Sequence, residues 1–256
     1  MATDELYLFL NSTVSSPFSS QKNSPSSFRT LFDTPIYLDL NSEYEMAILT
    51  LTCSAHSFNI SDGTFSYYSY IFGTEMHSRI PEGQYTIEKF NEVFMRVIQG
   101  DSSFYELSYE EEIRKFKLHT TSGDGGVTQP DIKFSKNLER FSGFPSNIYG
   151  SGNFYSTNSY STTSGNDHLY IYSDIVHSSY VKNTKQPILN VFPYVPNERQ
   201  EILVCSPCHP VYIPIFLKTI QGISINIKNK QYEDFPFPED SETTAVLHLR
   251  PLVSHF

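Results

Sequence analysis

Cys205, Ser206, Pro207, Cys208 and His209 carry the C-x-x-C-H spacing that attaches haem covalently. Haem held that way needs the histidine as an axial ligand, normally in a helical setting. Here the flanking residues favour strands, and Pro207 and Pro210 break any helix. Zinc needs four ligands, or three and a water. Cys205, Cys208 and His209 supply three, and no second close pair exists to complete them; Cys53 or a distant histidine would have to arrive through the fold. The pair is therefore expected to be two small apolar side chains in a proline-bounded turn, with no metal and no cofactor.

The eight histidines are His56, His77, His119, His168, His177, His209, His248 and His255, and none forms H-x-x-x-H or pairs with a glutamate at metal spacing. His248 alternates onto a strand face and is expected to pack or lie at the surface. Asp174 and His177 suggest acid–base work, but no G-x-S-x-G nucleophile motif accompanies them. Glu110, Glu111 and Glu112 fit the solvated tip of a hairpin. Ser122, Gly123, Asp124, Gly125 and Gly126 lack the lysine and the following helix of a phosphate-binding loop. Asn11 and Asn59 head N-x-S/T triplets. With no secretory signal, both are read as unmodified. The expectation is no enzyme: no catalytic, cofactor-binding or metal residue. Sequence alone marks no interface residue.

The elements that would carry these residues are mostly strands. One stretch, residues 79–100, gives a strong helix signal. Thr86 is an N-cap candidate, Ile87, Phe90, Phe94, Val97 and Ile98 share one face, and Gly100 is the stop. Glu92 and Arg96 are ordered for an i, i+4 pair. Strands are expected at 6–10, 28–40, 45–53, 168–172, 187–192, 201–205, 211–215, 220–227 and 243–250, with Ile223, Ile225 and Ile227 alternating against Ser224 and Asn226. Pro193, Pro196, Pro207, Pro210 and Pro214 mark edges or strand ends. Weaker strands fall in 54–78, and a hairpin spans 105–119. Leu138, Phe141 and Phe144 form a small apolar cluster.

The 256 residues suffice for one large β domain or two small ones. There are 20 Phe, 18 Tyr and no Trp, which suits wide sheets. Eight or more body strands predict an all-β, single jelly-roll β-sandwich carrying a small inserted α+β subdomain with one amphipathic helix. The body is expected over 1–78 and 168–256, and the inserted subdomain over 79–145. That subdomain is too small to bury a full core alone. A flexible Ser/Tyr-rich loop is expected over 146–167. The tyrosine-rich stretches at 65–72 and 148–160 have the composition of contact surfaces, or else simply cover the sandwich. A net charge of −10 and a pI near 5.2 give no electrostatic footprint for nucleic acid. No basic leader, and no apolar run of about 18 residues, is present. The expectation is synthesis in a host cytoplasm with neither signal peptide nor membrane span.

The order of the segments resembles the minor capsid (penton) proteins of Polinton/Maverick elements, adintoviruses and virophages. The collinear blocks are residues 6–10, 23–31, 35–38 and 43–48, then the turn Ile80, Pro81, Glu82, Gly83, Gln84, Tyr85 with its helix. Residues 132–138 with Phe141, Ser142, Gly143 and Phe144 follow, then 170–176, 187–191, 212–215, 220–227 and 246–250. Tyr44 stands where the family usually has Trp, and the 146–166 loop and the 205–208 cysteine pair depart from its pattern. The resemblance implies a homopentamer at the fivefold vertices of an icosahedral virion capsid, beside a double-jelly-roll major capsid protein, with no catalytic residues to transfer. Two further readings stay open: a receptor- or glycan-binding jelly roll, and a domesticated transposon-derived copy with a binding role.

Overall fold

The computed structural model describes residues 5–13, 22–98, 101, 104–121, 132–148, 150–159, 161, 166–181, 183–195 and 200–252. The loop at 122–126 and His255 lie outside the described residues. The chain divides into two compact units, Met1–Ser57 with Asn166–Phe256, and Phe58–Gly165.

The chain opens with β1 (Leu6–Asn11), β2 (Ser27–Tyr37) and β3 (Tyr44–Ser54). The second unit then supplies β4 (Thr64–Ser69), β5 (Thr74–Arg79), α1 (Ile87–Val97), β6 (Tyr105–Glu110), β7 (Lys115–Thr120), β8 (Ile132–Phe134), α2 (Lys136–Ser142), β9 (Asn147–Ile148) and β10 (Gly152–Tyr155). The first unit resumes with β11 (His168–Ser173), β12 (Ser179–Val181), β13 (Thr184–Gln186), β14 (Ile188–Pro193) and β15 (Ile202–Cys205). It closes with β16 (Ile213–Ile215), β17 (Thr219–Lys228) and β18 (Thr244–Pro251).

In the first unit, one sheet runs β1-β18-β3-β15, with β16 also on β3, and the other runs β14-β11-β17-β2. β15 and β16 are two pieces of one path along β3, interrupted where Pro207 and Pro210 withhold backbone donors. Counted this way, eight body strands pair first with eighth, second with seventh, third with sixth and fourth with fifth. Every pair is antiparallel. One long antiparallel ribbon rolled into two layers is a jelly roll. Alternation fills the space between the layers: Leu8, Leu10, Met46, Ile48, Leu51, Ile171, Ile223, Ile225, Ile227, Leu247 and Leu249 all belong to one buried cluster. Gly222 sits at the β17–β2 register shift. A Cβ there would stand 2.7 Å from the Thr30 carbonyl oxygen, so the strands approach this closely only across a glycine.

The second unit has its own aromatic core. Phe65, Phe90, Phe94, Phe116, Phe134, Phe141 and Phe144 pack within one cluster. Phe90 sits 4.8 Å from Phe141, and Phe134 stacks 5.7 Å from Phe144. α1 matches the sequence expectation: Thr86 Oγ1 accepts from the Lys89 N–H at 3.3 Å, and Phe90, Phe94 and Ile98 are buried. Glu92 and Arg96 form the expected i, i+4 ion pair.

Four expectations change here. The helix is not alone, because Lys136–Ser142 forms α2, capped by Ser135 Oγ at one end and by Gly143 in the left-handed region at the other. Seven residues hold too few apolar positions for a helical period to show. The boundary lies near 57 and 166 instead of 78 and 168: β4 pairs with β5 and β8, which carries residues 58–78 into the second unit. With them that unit encloses a full core, contrary to the size argument for 79–145. The stretch expected as a flexible loop is paired over much of its length. β9 joins β8, β10 joins β7, and Ser156, Asn158 and Ser161 donate backbone bonds to the carbonyls of Phe116, Gly143 and Phe141.

Candidate assembly surface

The residues with chemical potential do not converge. Cys205 ends β15 facing the core near Cys53, and both are buried, whereas Cys208 is exposed and His209 lies beside it at the surface. Strand alternation and the break at Pro207 place the two sulfurs of the motif in different environments. Burial pushes the Cys205 thiol up to about 11 and the Cys53 thiol higher still, with Cys205 adding a smaller push at Cys53. No three His, Cys, Asp or Glu among the described residues stand where they could hold one metal ion.

Asp174 and His177 have different partners. Asp174 accepts from the Ser224 N–H and the Ser224 hydroxyl, each at 2.9 Å, and lies 3.6 Å from Arg29. It therefore ties β17 and β2 to the residue just past β11. His177 packs edge-on against Phe216 at 5.3 Å. His119 bonds Asn153 and His168 lies near Asp167. His77 is on the exposed face of β5 and His56 follows β3. The hairpin tip is residues 111–114, so Glu111 and Glu112 sit there as expected, whereas Glu110 ends β6, opposite Lys115 and near Lys117. Asn59 is buried and clamps Tyr85, accepting from its N–H and donating to its carbonyl at 2.9 Å each. An amide held inside in this way is closed to modification. Asn11 pairs with Glu242.

His248 points outward from β18 yet is buried. Tyr7 stacks on it, its Nδ1 shares a 2.7 Å hydrogen bond with the Tyr212 hydroxyl, and Nε2 lies 3.4 Å from Glu5. Arg250 lies 3.5 Å over the Tyr212 ring and pairs with Glu45 at 2.7 Å. Four elements thus meet in one stacked polar group on the outside of the first sheet.

The two outer faces of the sandwich differ in kind. On the β2–β17–β11–β14 sheet the outward groups satisfy each other: Asp174 with Ser224 and Arg29, Ser27 with Asn226 at 2.8 Å, and Lys228 with Asp234 at 3.3 Å. On the β1–β18–β3–β15 sheet the outward residues include Tyr7, Phe9, Ile202 and Val204, which are 55%, 71%, 59% and 61% exposed. Phe9 lies opposite Val246, and Val204 opposite Thr52. These apolar side chains lie on the two end strands of the sheet, β1 and β15, with Thr52 of β3 beside Val204, and an exposed apolar edge such as that of β1 is a usual mark of an association surface. Its sequence signal was available: residues 6–10 are apolar at every position, where a half-buried strand would alternate.

The first tyrosine-rich stretch is largely structural, while in the second Tyr155 is exposed and Tyr149 and Tyr160 lie outside the described residues. Phe65 and Tyr67 belong to the core of the second unit, and Tyr68 meets Tyr70 edge to face at 5.2 Å. Of the first stretch, Ile71 and Phe72 stand exposed at the β4–β5 turn.

No family model and no curated protein sequence matches the chain. Among solved structures, the crystal structure of the mavirus penton protein aligns at 13% identity and a TM-score of 0.44, covering 97% of this chain and 100% of that one. A chain of the cryo-EM structure of the Sputnik virophage aligns at 13% identity and 0.43, covering 96% and 97%. At these values the likeness carries no weight for family or function, and the jelly roll stands on its own strand order.

Proposed function

We propose that this protein is a structural component of an icosahedral virion: a penton-like minor capsid protein, five copies of which close a ring at a fivefold vertex beside a double-jelly-roll major capsid protein. The observation that carries the reading is the unlike pair of sheet faces. One outer face exposes Tyr7 and Phe9 along its β1 edge, and the other ties polar groups to one another across strands, as Asp174 does with Ser224. Two different surfaces on one rigid sandwich favour head-to-tail contacts, and such contacts terminate when the rotation between neighbours closes a ring. An acidic chain without a basic run suits a shell component that does not itself hold nucleic acid.

Native mass spectrometry of the purified chain, alone and with a candidate major capsid protein, tests this. The expected species is five times the 29.3 kDa chain, and electron microscopy of particles should place it at the vertices. A monomer in both samples that binds sugars would favour a receptor-binding jelly roll instead.

A further inference from the structure

At the end of the β1–β18–β3–β15 sheet where β3 leaves and β18 enters, the surface sinks into a groove of about 600 Å³. Thr52 and Ser54 of β3, Thr244 of β18 and Ile202 of β15 make its floor, and the 238–242 turn makes one wall. Three carboxylates line it, Glu201, Asp240 and Glu242, together with His56, and no lysine or arginine among the described residues does. β15 is the last strand of its sheet, so its far edge pairs with no strand among the described residues. Ile202 and Val204 stand outward on it, and among the described residues no lysine lies in β15; a charged side chain is the usual protection of an open edge. The groove therefore offers an apolar rail, a hydroxyl floor and acidic flanks.

We propose that this groove docks an extended segment of a different protein in which basic and apolar side chains alternate. A strand-like segment sends successive side chains to opposite faces. One set then lies on Ile202 and Val204 while lysines or arginines of the other set meet Glu201, Asp240 and Glu242. Charge decides against a second copy as occupant: this chain carries −10 and has no run of basic residues. The contact is independent of ring closure, because Ile202 and Val204 lie on β15, at the opposite end of the sheet from Tyr7 and Phe9 of β1, which are assigned to copy–copy contact.

The test uses the full chain and two labelled peptides, acetyl-(Lys-Val)4-amide and acetyl-(Glu-Val)4-amide, followed by fluorescence anisotropy and by NMR of the isotopically labelled protein. The basic peptide is expected to bind, to shift amides of β15 and residues 238–244, and to weaken as salt rises. The acidic peptide is expected not to bind. The triple variant Glu201→Gln, Asp240→Asn, Glu242→Gln should lower affinity about tenfold, since each exposed pair contributes little alone. All three positions are exposed, so the circular dichroism and melting of the variant should match the wild type. Ile202→Ser, also at an exposed position, should weaken binding separately. Equal binding by the triple variant, shifts confined to other surfaces, equal binding of the acidic peptide, or no binding at all would each overturn the proposal. Pentamer formation is measured separately, so failure here leaves the vertex reading untouched, and the reverse holds too.

Discussion

Tyr7 and His248 stack across the β1–β18 pair, with ring centroids 4.6 Å apart and planes 13° from parallel. The stack buries a polar side chain on the outside of the sandwich, with Nδ1 hydrogen-bonded and Nε2 without a hydrogen-bond partner. Tyr212 holds Nδ1, and Glu5 lies 3.4 Å from Nε2. An outward strand position thus becomes a fixed polar support for the sheet face that carries Phe9.

Tyr212→Phe should lower unfolding free energy by about 1–2 kcal/mol, because His248 is left with a buried nitrogen that has lost its hydrogen bond. Urea denaturation followed by tyrosine fluorescence measures this. No change would mean that water replaces the hydroxyl freely.

Leu247 and Phe9 test the two sides of the same sheet. Leu247 is fully buried, so Leu247→Ala should cost about 2–5 kcal/mol. Phe9 is 71% exposed, so Phe9→Ser should change stability by no more than about 0.5 kcal/mol. Under the vertex reading it should nevertheless reduce self-association in sedimentation velocity. A Phe9 variant that unfolds would show that the side chain is part of the core instead.

Gly143 closes α2 with φ at +76°, and an added Cβ would stand 2.2 Å from the Asn158 carbonyl oxygen. Gly143→Ala should cost about 1–3 kcal/mol or more, from the left-handed backbone alone before the clash is added. Gly150, with φ at +78° and nothing within 4 Å, is the control, and its alanine variant should cost less. Paired thermal melts separate close approach from backbone preference.

The three thiols should react unequally. Cys208 is exposed, while burial holds Cys205 protonated up to about 11 and Cys53 higher. Ellman's reagent at pH 8 should find one fast thiol in the folded protein and three after denaturation. The raised folded-state values also set the sign of a pH effect. Above the ordinary thiol value of 9.0, the unfolded chain loses protons that the folded chain keeps. This contribution to stability is complete below pH 9 and declines as pH rises toward 11. Metal analysis of the same sample should find far less than one zinc per chain; stoichiometric zinc would require Cys205 to leave the core.

The helix was legible in the sequence because its period and cap are local. Thr86, Phe90, Phe94 and Ile98 lie within a few turns of one another and need no distant partner to declare themselves. The strands of the sandwich were legible for the same reason, since Ile223, Ile225 and Ile227 alternate by pleat geometry alone. Short elements were not: α2 spans two turns, and β9 and β10 exist through backbone bonds to β8 and β7. The different surroundings of Cys205 and Cys208 were not legible for a related reason, because spacing along the chain says nothing about which side of a strand each sulfur occupies.

What the sequence by itself determined was a β body of about eight strands with a long helix-bearing interruption, and the absence of a local catalytic motif. Tertiary structure alone decided that Phe58 opens the second unit, that His248 is buried against Tyr7 and Tyr212, and that Ile202 stands exposed beside an acid-lined groove. Periodicity fixes which residues share a strand face. Only the pairing of strands far apart in the chain settles what that face meets.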